Sequence, residues 1–411
     1  MKIIFWISTT LVLYTYGGYP LLLLMLASIH QVVTDLKFAL GRRNRRRRRD
    51  MTVPPRVTLL FSAYNEEQVI AAKMTNCEQL DYPTEQLEVL VGCDGCSDST
   101  AALARNARLG HARVLDYAER SGKPAVINRL VEEAGGEILV FTDANTIIRP
   151  DALRQMVRHF SDPEVGCVCG ELRFLAEQGG VASEGVYWKF EVFLKFLESR
   201  LNMMLGANGA LFAVRKDLFE PVPQHGVIDD FLIAMRVRSK GYSIVYDPEA
   251  VGEEELAPGV KHEFKRRVRI GAGNFYALRY TGGLLSPTAG MVALSYWSHK
   301  VFRWIAPLGM TLSLVSAAAL AREPFYALWA LGGALFGILG WIGYRLELRK
   351  ESSRLFNPAV FSVPYYFLSM HLALLFGLVK CLRGTQTVVW NPTARDLAVK
   401  KNEPSTKGAH A

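Results

Sequence analysis

The chain has 411 residues, of which 50% are hydrophobic and 21% are charged, and its formal net charge is +9. Four stretches contain no Asp, Glu, Lys or Arg: residues 3–34, 304–321, 324–344 and 355–379. A helix needs about 20 apolar residues to cross a bilayer, so each stretch has nearly or fully the length of a membrane helix. This distribution argues against a wholly soluble protein, a disordered chain and a small disulfide scaffold.

A basic run follows the first apolar stretch, where residues 42–49 include seven arginines. Positive residues stay on the cytoplasmic side of a membrane helix, so the run predicts that the following domain is cytoplasmic. The same arginines can contact anionic lipid headgroups. A nucleic acid binder would spread its basic residues over a folded face, so we expect no nucleic acid partner. The first apolar stretch is too long for a signal peptide and predicts an uncleaved anchor in the cell (inner) membrane.

Residues 54–279 alternate between short apolar runs and amphipathic segments. The apolar runs predict buried strands at residues 57–62, 87–92, 112–115, 137–142 and 165–170. Helical patterns stand between them, one of which begins with Pro150 at a first-turn position. Buried strands that alternate with helices are typical of an α/β domain, with a mainly parallel sheet covered on both faces.

Polar clusters come directly after three of these strands. The clusters occupy residues 64–67, 94–98 and 143–145. Each one alone is compatible with turn and capping chemistry. Ligands of parallel sheets, however, bind at the carboxyl ends of the strands. Three clusters at successive strand ends therefore predict one binding site.

Several side chains in or near these clusters suit a ligand that carries a base, a ribose and phosphates. Asp143 and Asn145 stand two residues apart, and both offer oxygen atoms of the kind that Mg²⁺ and Mn²⁺ prefer. Lys123 opens a predicted helix, where a cation and backbone N–H groups can hold phosphate. Asp94 and Asp98 can accept hydrogen bonds from a base N–H and from ribose hydroxyls.

Two later segments each allow a structural and a chemical interpretation. Asp229 and Asp230 open a predicted helix, either as capping residues or with one of them as a general base whose pKa the other raises. Arg266, Arg267 and Arg269 belong either to a basic helix at the membrane surface or to a clamp that neutralises a leaving diphosphate. The residues alone leave both alternatives open.

Seven segments together show a family resemblance. They occur in the order SAYNEE, CDGCSDST, SGKPAVIN, FTDANT, GANGALFAVRKDLF, IDDF and KRRVRIGAG. In this order and spacing they resemble the membrane-bound family 2 glycosyltransferases, such as the synthases of hyaluronan, cellulose, chitin and poly-N-acetylglucosamine. The resemblance covers about residues 54–304 and implies a GT-A fold, a Rossmann-like sheet that binds a nucleotide sugar. It also implies flanking membrane helices, one N-terminal and about three C-terminal, together with an interfacial segment.

The resemblance implies a role for each residue that matches the motifs. Those assigned to the nucleotide sugar are Ala63, Tyr64, Glu66, Asp94, Lys123 and Asp143, with Asp94 on a base that is usually uracil. Asp143 and Asn145 would hold the divalent cation, Mg²⁺ or Mn²⁺. Asp230 would deprotonate an acceptor hydroxyl so that transfer inverts the anomeric carbon, and Arg269 would stabilise the departing diphosphate. Those near the acceptor or the leaving group would be Asn208, Gly209, Asp229 and Arg266, while Tyr187, Trp188 and Glu191 would either line that site or only pack.

The chain departs from the family pattern at three positions. Asn145 replaces the second acid of the metal motif, and Asp229 replaces the Glu that precedes the base. The QxxRW element of processive synthases appears as residues 266–270, which keep the Arg but lose both Gln and Trp. The lost Trp weakens the case for processive synthesis. A second partial match at residues 300–304 begins a membrane span, and we expect it to be an interfacial anchor.

These assignments divide the chain into an anchor with the basic run at 1–50, a cytoplasmic GT-A domain at 51–280, an interfacial segment with membrane helices at 281–384, and a polar tail at 385–411. The expected function is inverting transfer of a hexosyl or N-acetylhexosaminyl group from a nucleotide sugar, usually of UDP, to a growing polysaccharide or glycan. Secretion partner subunits are compatible with that function. The alternatives are transfer of one sugar to a lipid-linked acceptor and a non-catalytic membrane partner subunit. The side of the membrane on which the tail lies stays open.

Overall fold

The computed structural model describes residues 1–41, 53–107, 109–175, 182–255, 260–350 and 358–385. The basic run at 42–49 and nearly all of the tail expected at 385–411 lie outside these ranges. In the order of the sequence, a sheet domain stands between one long N-terminal helix and three long C-terminal helices.

In the described residues, eight strands form one sheet: β1 (Val57–Ala63), β2 (Leu87–Asp94), β3 (Ala112–Tyr117), β4 (Ile138–Thr142), β5 (Ile147–Ile148), β6 (Val165–Leu175), β7 (Leu211–Arg215) and β8 (Ser243–Glu255). Their order across the sheet is β3-β2-β1-β4-β7-β6-β8-β5. Strands β1 to β4 are parallel, as the sequence predicts, whereas β5 and β7 run against their neighbours. The sheet is therefore mixed, although six of its eight described strands share one direction. The reversal of β7 was not predicted, because β7 is buried on both faces and such a strand carries no sequence signal of its direction.

The helices are α1 (Lys2–Ala39), α2 (Ile70–Glu78), α3 (Thr100–Asn106), α4 (Lys123–Glu133), α5 (Ala152–Val157), α6 (Ala182–Arg200), α7 (Asp229–Ser239), α8 (Val260–Thr281), α9 (Met291–Ala319), α10 (Pro324–Lys350) and α11 (Ala359–Leu382). Helices cover both faces of the sheet, because alternate residues of a strand point to opposite sides. Leu60 of β1 belongs to the core that includes Val126 of α4 and Leu232 of α7. Its neighbour Phe61 belongs to the core on the other face, which includes Ile70 of α2.

A glycine sets how closely α4 approaches the sheet. A Cβ on Gly92, near the end of β2, would lie 2.3 Å from Cγ1 of Val126, which is closer than two carbon atoms can pack. The absence of a side chain there lets α4 lie directly on the strand. Because α4 begins at Lys123, this approach brings that lysine to the carboxyl edge of the sheet.

Four helices in the described ranges are long and apolar enough to cross a membrane: α1, α9, α10 and α11. The expected arrangement of one N-terminal and three C-terminal helices is confirmed. The start of α1 lies beside the loop before α10, because Lys2 Nζ is 2.7 Å from Glu323 Oε1. Both of these positions therefore lie at the same end of the helical group.

The helix α9 begins earlier than the sequence predicts. It starts at Met291 rather than at residue 304 and continues to Ala319. Gly290, with a φ of 58°, ends the preceding short turns in a conformation that favours glycine, and the helix starts after it. Part of the segment expected to be interfacial is therefore the first part of a membrane helix.

The partial motif at residues 300–304 is not an interfacial anchor. Arg303 and Trp304 are 8% and 4% exposed and face the protein. The Trp304 ring makes T-shaped contacts with the rings of Phe231 and Phe275, whose centroids lie 6.4 and 5.8 Å away. The expectation was wrong because an apolar stretch does not show which face of its helix packs against the protein.

The helices α6 and α8 connect the sheet domain to the long apolar helices. Leu194 of α6 packs with Tyr19 and Leu23 of α1 in a buried cluster. Helix α8 lies against α11, where a Cβ on Gly377 would be 2.7 Å from the backbone nitrogen of Ala272. The sheet domain therefore shares buried contacts with both the N-terminal helix α1 and the helix α11.

Candidate active site

The loops after β1 and β2 are bonded to each other at the carboxyl edge of the sheet. Asn65, with a φ of 51°, donates from Nδ2 to Ser97 Oγ at 3.0 Å and accepts from the Ser97 N–H at 2.9 Å. The N–H of Glu66 donates to Thr100 Oγ1 at 2.8 Å, and the Glu66 side chain is buried. Ala63, the last residue of β1, is also buried. Two of the residues expected to bind the nucleotide, Ala63 and Glu66, thus belong to one surface with the second polar cluster.

Tyr64 directly follows β1 and is half-buried. The guanidinium carbon of Arg120 is 3.5 Å from the centre of the Tyr64 ring, a cation–π contact. Gly95 makes this approach possible, since a Cβ there would be 2.8 Å from the Arg120 nitrogen. Its φ of 64° also suits glycine.

Asp94 ends β2 and fixes the loop that leads into α4. Its Oδ1 accepts from the Ser121 N–H at 2.7 Å and its Oδ2 from the Gly122 N–H at 2.9 Å. The side chain is 4% exposed. Both oxygens thereby help to place Lys123, the first residue of α4. A contact between Asp94 and a base would use the remaining lone pairs, and it stays a prediction.

Lys123 brings three carboxylates together. Its Nζ donates to Asp143 Oδ1 at 2.7 Å and lies 3.4 Å from Asp229 Oδ2. Burial would lower the pKa of Lys123, but the charges of Asp143, Asp229 and Asp230 raise it above its ordinary value. The ammonium therefore stays protonated at neutral pH, and the site combines a fixed cation with a group of acids.

Asp230, the second residue of α7, has the surroundings of a general base. Burial, followed by the charge of Asp229, raises the pKa of Asp230 to about 6. Its Oδ1 accepts from the N–H of Phe231 at 2.8 Å, and a Cβ on Gly209 would lie 3.3 Å from its Oδ2. Asp230 therefore lies directly against the loop expected to meet the acceptor. A carboxylate with a pKa near 6 is ionised at neutral pH and basic enough to take a proton.

That loop is bonded to α6. Lys195 Nζ donates to Asn208 Oδ1, and Asn208 Nδ2 donates to the carbonyl of Gly170 at 3.3 Å. Lys195 Nζ also lies 5.5 Å from the centre of the Trp188 ring. The Trp188 side chain is therefore next to the loop, whereas the acceptor roles of Asn208 and Gly209 stay predictions.

Arg269 and Arg266 both lie near the group of acids, Arg269 beside Asp229 and Arg266 beside Glu254. Burial lowers the pKa of Arg269, and the nearby charge of Asp229 is the largest effect that opposes this. Arg266 is exposed and its Nε donates to Glu263 Oε2 at 2.7 Å. Arg269 is thus the more buried of the two arginines, whereas Arg266 lies at the exposed side of the site, and the roles of both stay predictions.

Glu254 is a site residue that sequence reasoning missed. Its Oε1 accepts from Thr146 Oγ1 at 2.5 Å, because the pairing of Ile147 with Glu253 brings β8 alongside the loop after β4. Burial and then the charge of Asp143 raise the pKa of Glu254, so the two carboxylates are neighbours. The bonded residues are 108 positions apart in the sequence, and no local motif marks such a contact.

Lys73 is a second missed residue, fully buried beside the loop at 143–145. Its Nζ donates to Thr142 Oγ1 at 3.1 Å and to the carbonyl of Thr146 at 2.6 Å. These two bonds hold both ends of the loop, and burial lowers the pKa of Lys73 to about 8. A sequence signal existed, because Lys73 occupies the apolar face of α2, where a lysine needs a buried partner.

The oxygen donors at 143–145 suit a hard divalent cation. Asp143 offers a carboxylate and Asn145 an amide oxygen, and Glu254 is their neighbour. Within the ranges that the structure describes, no three His, Cys, Asp or Glu side chains form a metal site of their own. Magnesium ions are commonly held by one or two carboxylates together with substrate phosphates. The residues present therefore fit a cation that is bound jointly with a diphosphate.

Comparison with protein families agrees with this geometry. Residues 54–273, more than half of the chain, match the family described as glycosyltransferase like family 2. The chain belongs to this family. The resemblance drawn from the seven sequence motifs is thereby confirmed.

Particular proteins that are similar to this chain include two curated relatives and one solved structure. Poly-beta-1,6-N-acetyl-D-glucosamine synthase of Staphylococcus aureus is 25% identical over 229 residues, which are 54% of this chain and 55% of the synthase. The chain thus spans about half the length of that relative. Glycosyltransferase AglE of Haloferax volcanii is 28% identical over 225 residues, 53% of this chain and 73% of AglE.

The solved structure is the mannosyltransferase PcManGT of Pyrobaculum calidifontis in complex with GDP-Man and Mn²⁺. Its TM-score is 0.67 at 23% sequence identity, and the match covers 92% of this chain and 99% of that one. The likeness extends beyond the sheet domain into the long helices. The GT-A fold with flanking apolar helices is therefore confirmed.

Proposed function

We propose that this protein is a membrane-embedded inverting glycosyltransferase that moves a hexosyl or N-acetylhexosaminyl group from a nucleotide sugar to a growing glycan. One observation carries the proposal: Lys123, Asp143, Asp229, Asp230 and Arg269, from four separate segments, meet at the carboxyl edge of the sheet. This arrangement suits a donor with a diphosphate leaving group and an acceptor that must lose a proton. Similarity to a poly-N-acetylglucosamine synthase supports a glycan product.

The nucleotide would lie along the bonded loops after β1 and β2. Ala63, Tyr64 and Glu66 would line the nucleoside pocket, and Asp94 would recognise the base. We propose UDP as the carrier, because uracil is the usual base in the family that the motifs resemble. GDP-Man is the donor in the solved mannosyltransferase, so guanine is the second base to test.

Asp143 and Asn145, with Glu254 beside them, would hold a divalent cation, Mg²⁺ or Mn²⁺. Such an ion supplies positive charge at the diphosphate, and Mn²⁺ accompanies GDP-Man in the similar mannosyltransferase. Lys123 and Arg269 supply two further positive charges from the chain itself. Negative charge that develops on the leaving group would thus be met by side chains already in place.

Asp230 would accept the proton of the attacking acceptor hydroxyl. The hydroxyl oxygen forms the new bond to the anomeric carbon while the bond to the diphosphate oxygen breaks, so the configuration inverts in one step. Asn208 and Gly209, in the loop against Asp230, would contact the acceptor sugar. Asp229 would keep the pKa of Asp230 raised by its negative charge.

A second candidate function is the transfer of one sugar to a lipid-linked acceptor. It is favoured by Ile270, which stands where processive synthases carry the Trp of their motif. We place the sheet domain on the cytoplasmic side of the cell (inner) membrane, because the basic run at 42–49 follows α1. Membrane lipids would then surround the four apolar helices, and secretion subunits are candidate partners.

The test uses the full-length protein in lipid nanodiscs with Mg²⁺ or Mn²⁺ and a panel of UDP- and GDP-sugars. Release of the nucleoside diphosphate and the mass of the product are measured together. Release with one donor and a long product supports glycan synthesis, whereas a product with one added sugar, formed only with a lipid acceptor, supports the second candidate. No release and no binding of any donor would refute both.

A further inference from the structure

We propose that the membrane helix α9 positions the carboxylate of Asp230, through Tyr296 and Trp304 packed against Phe231. The inference rests on the proposed function, in which Asp230 is the base. On this view the helix α9 contributes to catalysis as well as to membrane anchoring. Its two aromatic residues would act as positioning residues for the Asp230 carboxylate, which touches the acceptor.

Phe231 is held between the acceptor loop and α9. It directly follows Asp230 in α7 and is 8% exposed. A Cβ on Gly206 would lie 2.5 Å from its Cδ2, so its ring touches the backbone of the loop. The rings of Tyr296 and Trp304 in α9 lie 6.3 and 6.4 Å from it, centroid to centroid. Close packing against both the loop and α9 restricts the position of the ring, and Asp230 is the adjacent residue in the same helix.

The two aromatic residues of α9 are themselves fixed by α8. Trp304 packs against the rings of Tyr296 and Phe275, at 6.1 and 5.8 Å. Tyr296 is fully buried, and its hydroxyl is 2.5 Å from Thr281 Oγ1 at the end of α8. The aromatic group thus spans three helices, which restricts the rotamers that each ring can adopt.

A buried ionic clasp, formed by Glu191 and Glu198 of α6 with His299 and Arg303 of α9, holds α9 in this position. Glu198 Oε1 accepts from Tyr19 Oη at 2.7 Å and lies 2.7 Å from His299 Nδ1. Arg303 donates to Glu191 Oε1, and His299 Nε2 lies 3.4 Å from Glu191 Oε2. All four side chains are at most 8% exposed. The role that the sequence left open for Glu191 is therefore explained by packing between helices.

The clasp fixes both the height and the rotation of α9. Glu191 and Glu198 are two turns apart on one face of α6, and His299 and Arg303 are one turn apart on one face of α9. Two bonded pairs at different heights prevent the helices from sliding or turning past one another. Removal of one partner would leave an unpaired buried charge, which folded proteins tolerate poorly.

The clasp and the aromatic group are adjacent along α9. Trp304 follows Arg303, and Tyr296 precedes His299 by less than one turn. On α6, Lys195 stands between the two glutamates and donates to Asn208 of the acceptor loop. Helix α9 therefore contacts Phe231, and helix α6, which the clasp joins to α9, is bonded to the acceptor loop.

The test compares Trp304→Leu with Trp297→Leu, a matched control in the same helix whose side chain is 40% exposed. We expect Trp304→Leu to lower kcat about tenfold or more while the affinity for the donor changes less than about twofold. Water that reaches the loosened site should also lower the pKa of Asp230. The other charged groups that face Asp230, namely Lys123, Asp143, Asp229 and Arg269, are unchanged in both variants.

Protonation of Asp230 is read directly from the infrared carboxyl band that disappears in Asp230→Asn. A titration midpoint that moves to lower pH in Trp304→Leu, but not in Trp297→Leu, supports the inference. If that shift is seen but no donor is turned over, the inference stands and only the proposed function fails. Equal midpoints in the two variants overturn it. If Trp304→Leu does not fold, Trp304→Phe, which keeps an aromatic edge, decides in the same way with a smaller shift. Tyr296→Phe, which loses only the bond to Thr281, serves as the conservative variant for the second ring.

Discussion

Replacement of Lys73 by Met should leave the protein as stable as before, or more stable, and yet weaken donor binding. Burial lowers the pKa of Lys73 from 10.5 to about 8, so a charged ammonium costs the folded state about 3 kcal/mol at neutral pH. Met removes that cost but leaves the carbonyl of Thr146 without its 2.6 Å bond, a loss of about 1–3 kcal/mol. The free energy of unfolding should therefore rise by between about 0 and 2 kcal/mol.

Donor binding should respond in the opposite sense, because the loop at 143–145 loses an anchor at each end. We expect the affinity for the nucleotide sugar in the presence of Mn²⁺ to fall about tenfold. The pH dependence gives a further check. The folded pKa of Lys73 lies below its unfolded value of 10.5, so the unfolded state binds more protons between about pH 8 and that value. Wild-type stability should rise with pH in this window, and the variant should lack that rise.

The assay combines thermal unfolding of the purified protein in detergent, near neutral pH and in the alkaline window, with calorimetric titration of the donor. Lys189→Met is the matched control, because Lys189 is exposed and neither quantity should change. A clear fall in the unfolding midpoint of the Lys73 variant would show that the buried ammonium stabilises the fold. An unchanged donor affinity would refute the role assigned to its two hydrogen bonds.

Three further predictions concern the acids of the site. Asp230→Asn should lower turnover about 10²–10⁴-fold, the usual contribution of a general base, with donor affinity in calorimetry nearly unchanged; near-normal turnover would remove Asp230 from that role. Wild-type turnover should halve near the pKa of Asp230, about 6, and fall further in acid, and a rate profile that stays flat well below this pH would contradict the assignment. Glu254→Gln should weaken Mn²⁺ binding measured by electron paramagnetic resonance. The control Glu253→Gln, which loses only a partly exposed ion pair with Arg149, should not weaken it, and equal effects in the two variants would exclude Glu254 from metal binding.

The sequence predicted the parts of the site in which local pattern and tertiary position coincide. An apolar run that ends in a polar cluster marks the edge of a buried sheet, so the clusters at 64–67, 94–98 and 143–145 were placed correctly on three neighbouring parallel strands. The family resemblance then indicated Lys123 as a residue near the nucleotide, and the structure brings it to Asp143.

The features that the sequence did not predict depend on contacts between residues that are far apart in the chain. Glu254 reaches the site only through the register of β5 with β8, and the reversed direction of β7 has no pattern of its own. The inward face of Trp304 depends on its contacts with α7 and α8. Lys73 is the exception, because a lysine on the apolar face of a short helix is visible in the sequence and was passed over.

The ionic clasp between α6 and α9 also bears on how the protein is made. Arg303 would be costly to move into lipid as a charge, at about 2.5–3.5 kcal/mol for an arginine at the centre of an inserted helix. Its partner Glu191 precedes it by 112 positions, and Glu198 precedes its partner His299 by 101 positions, so the ribosome completes α6 well before α9 begins. Once α6 has formed, it can offer both carboxylates to α9 as that helix arrives. The order of synthesis is then also the order of assembly, and a fragment cut before Met291 would keep two buried acids without their partners on α9.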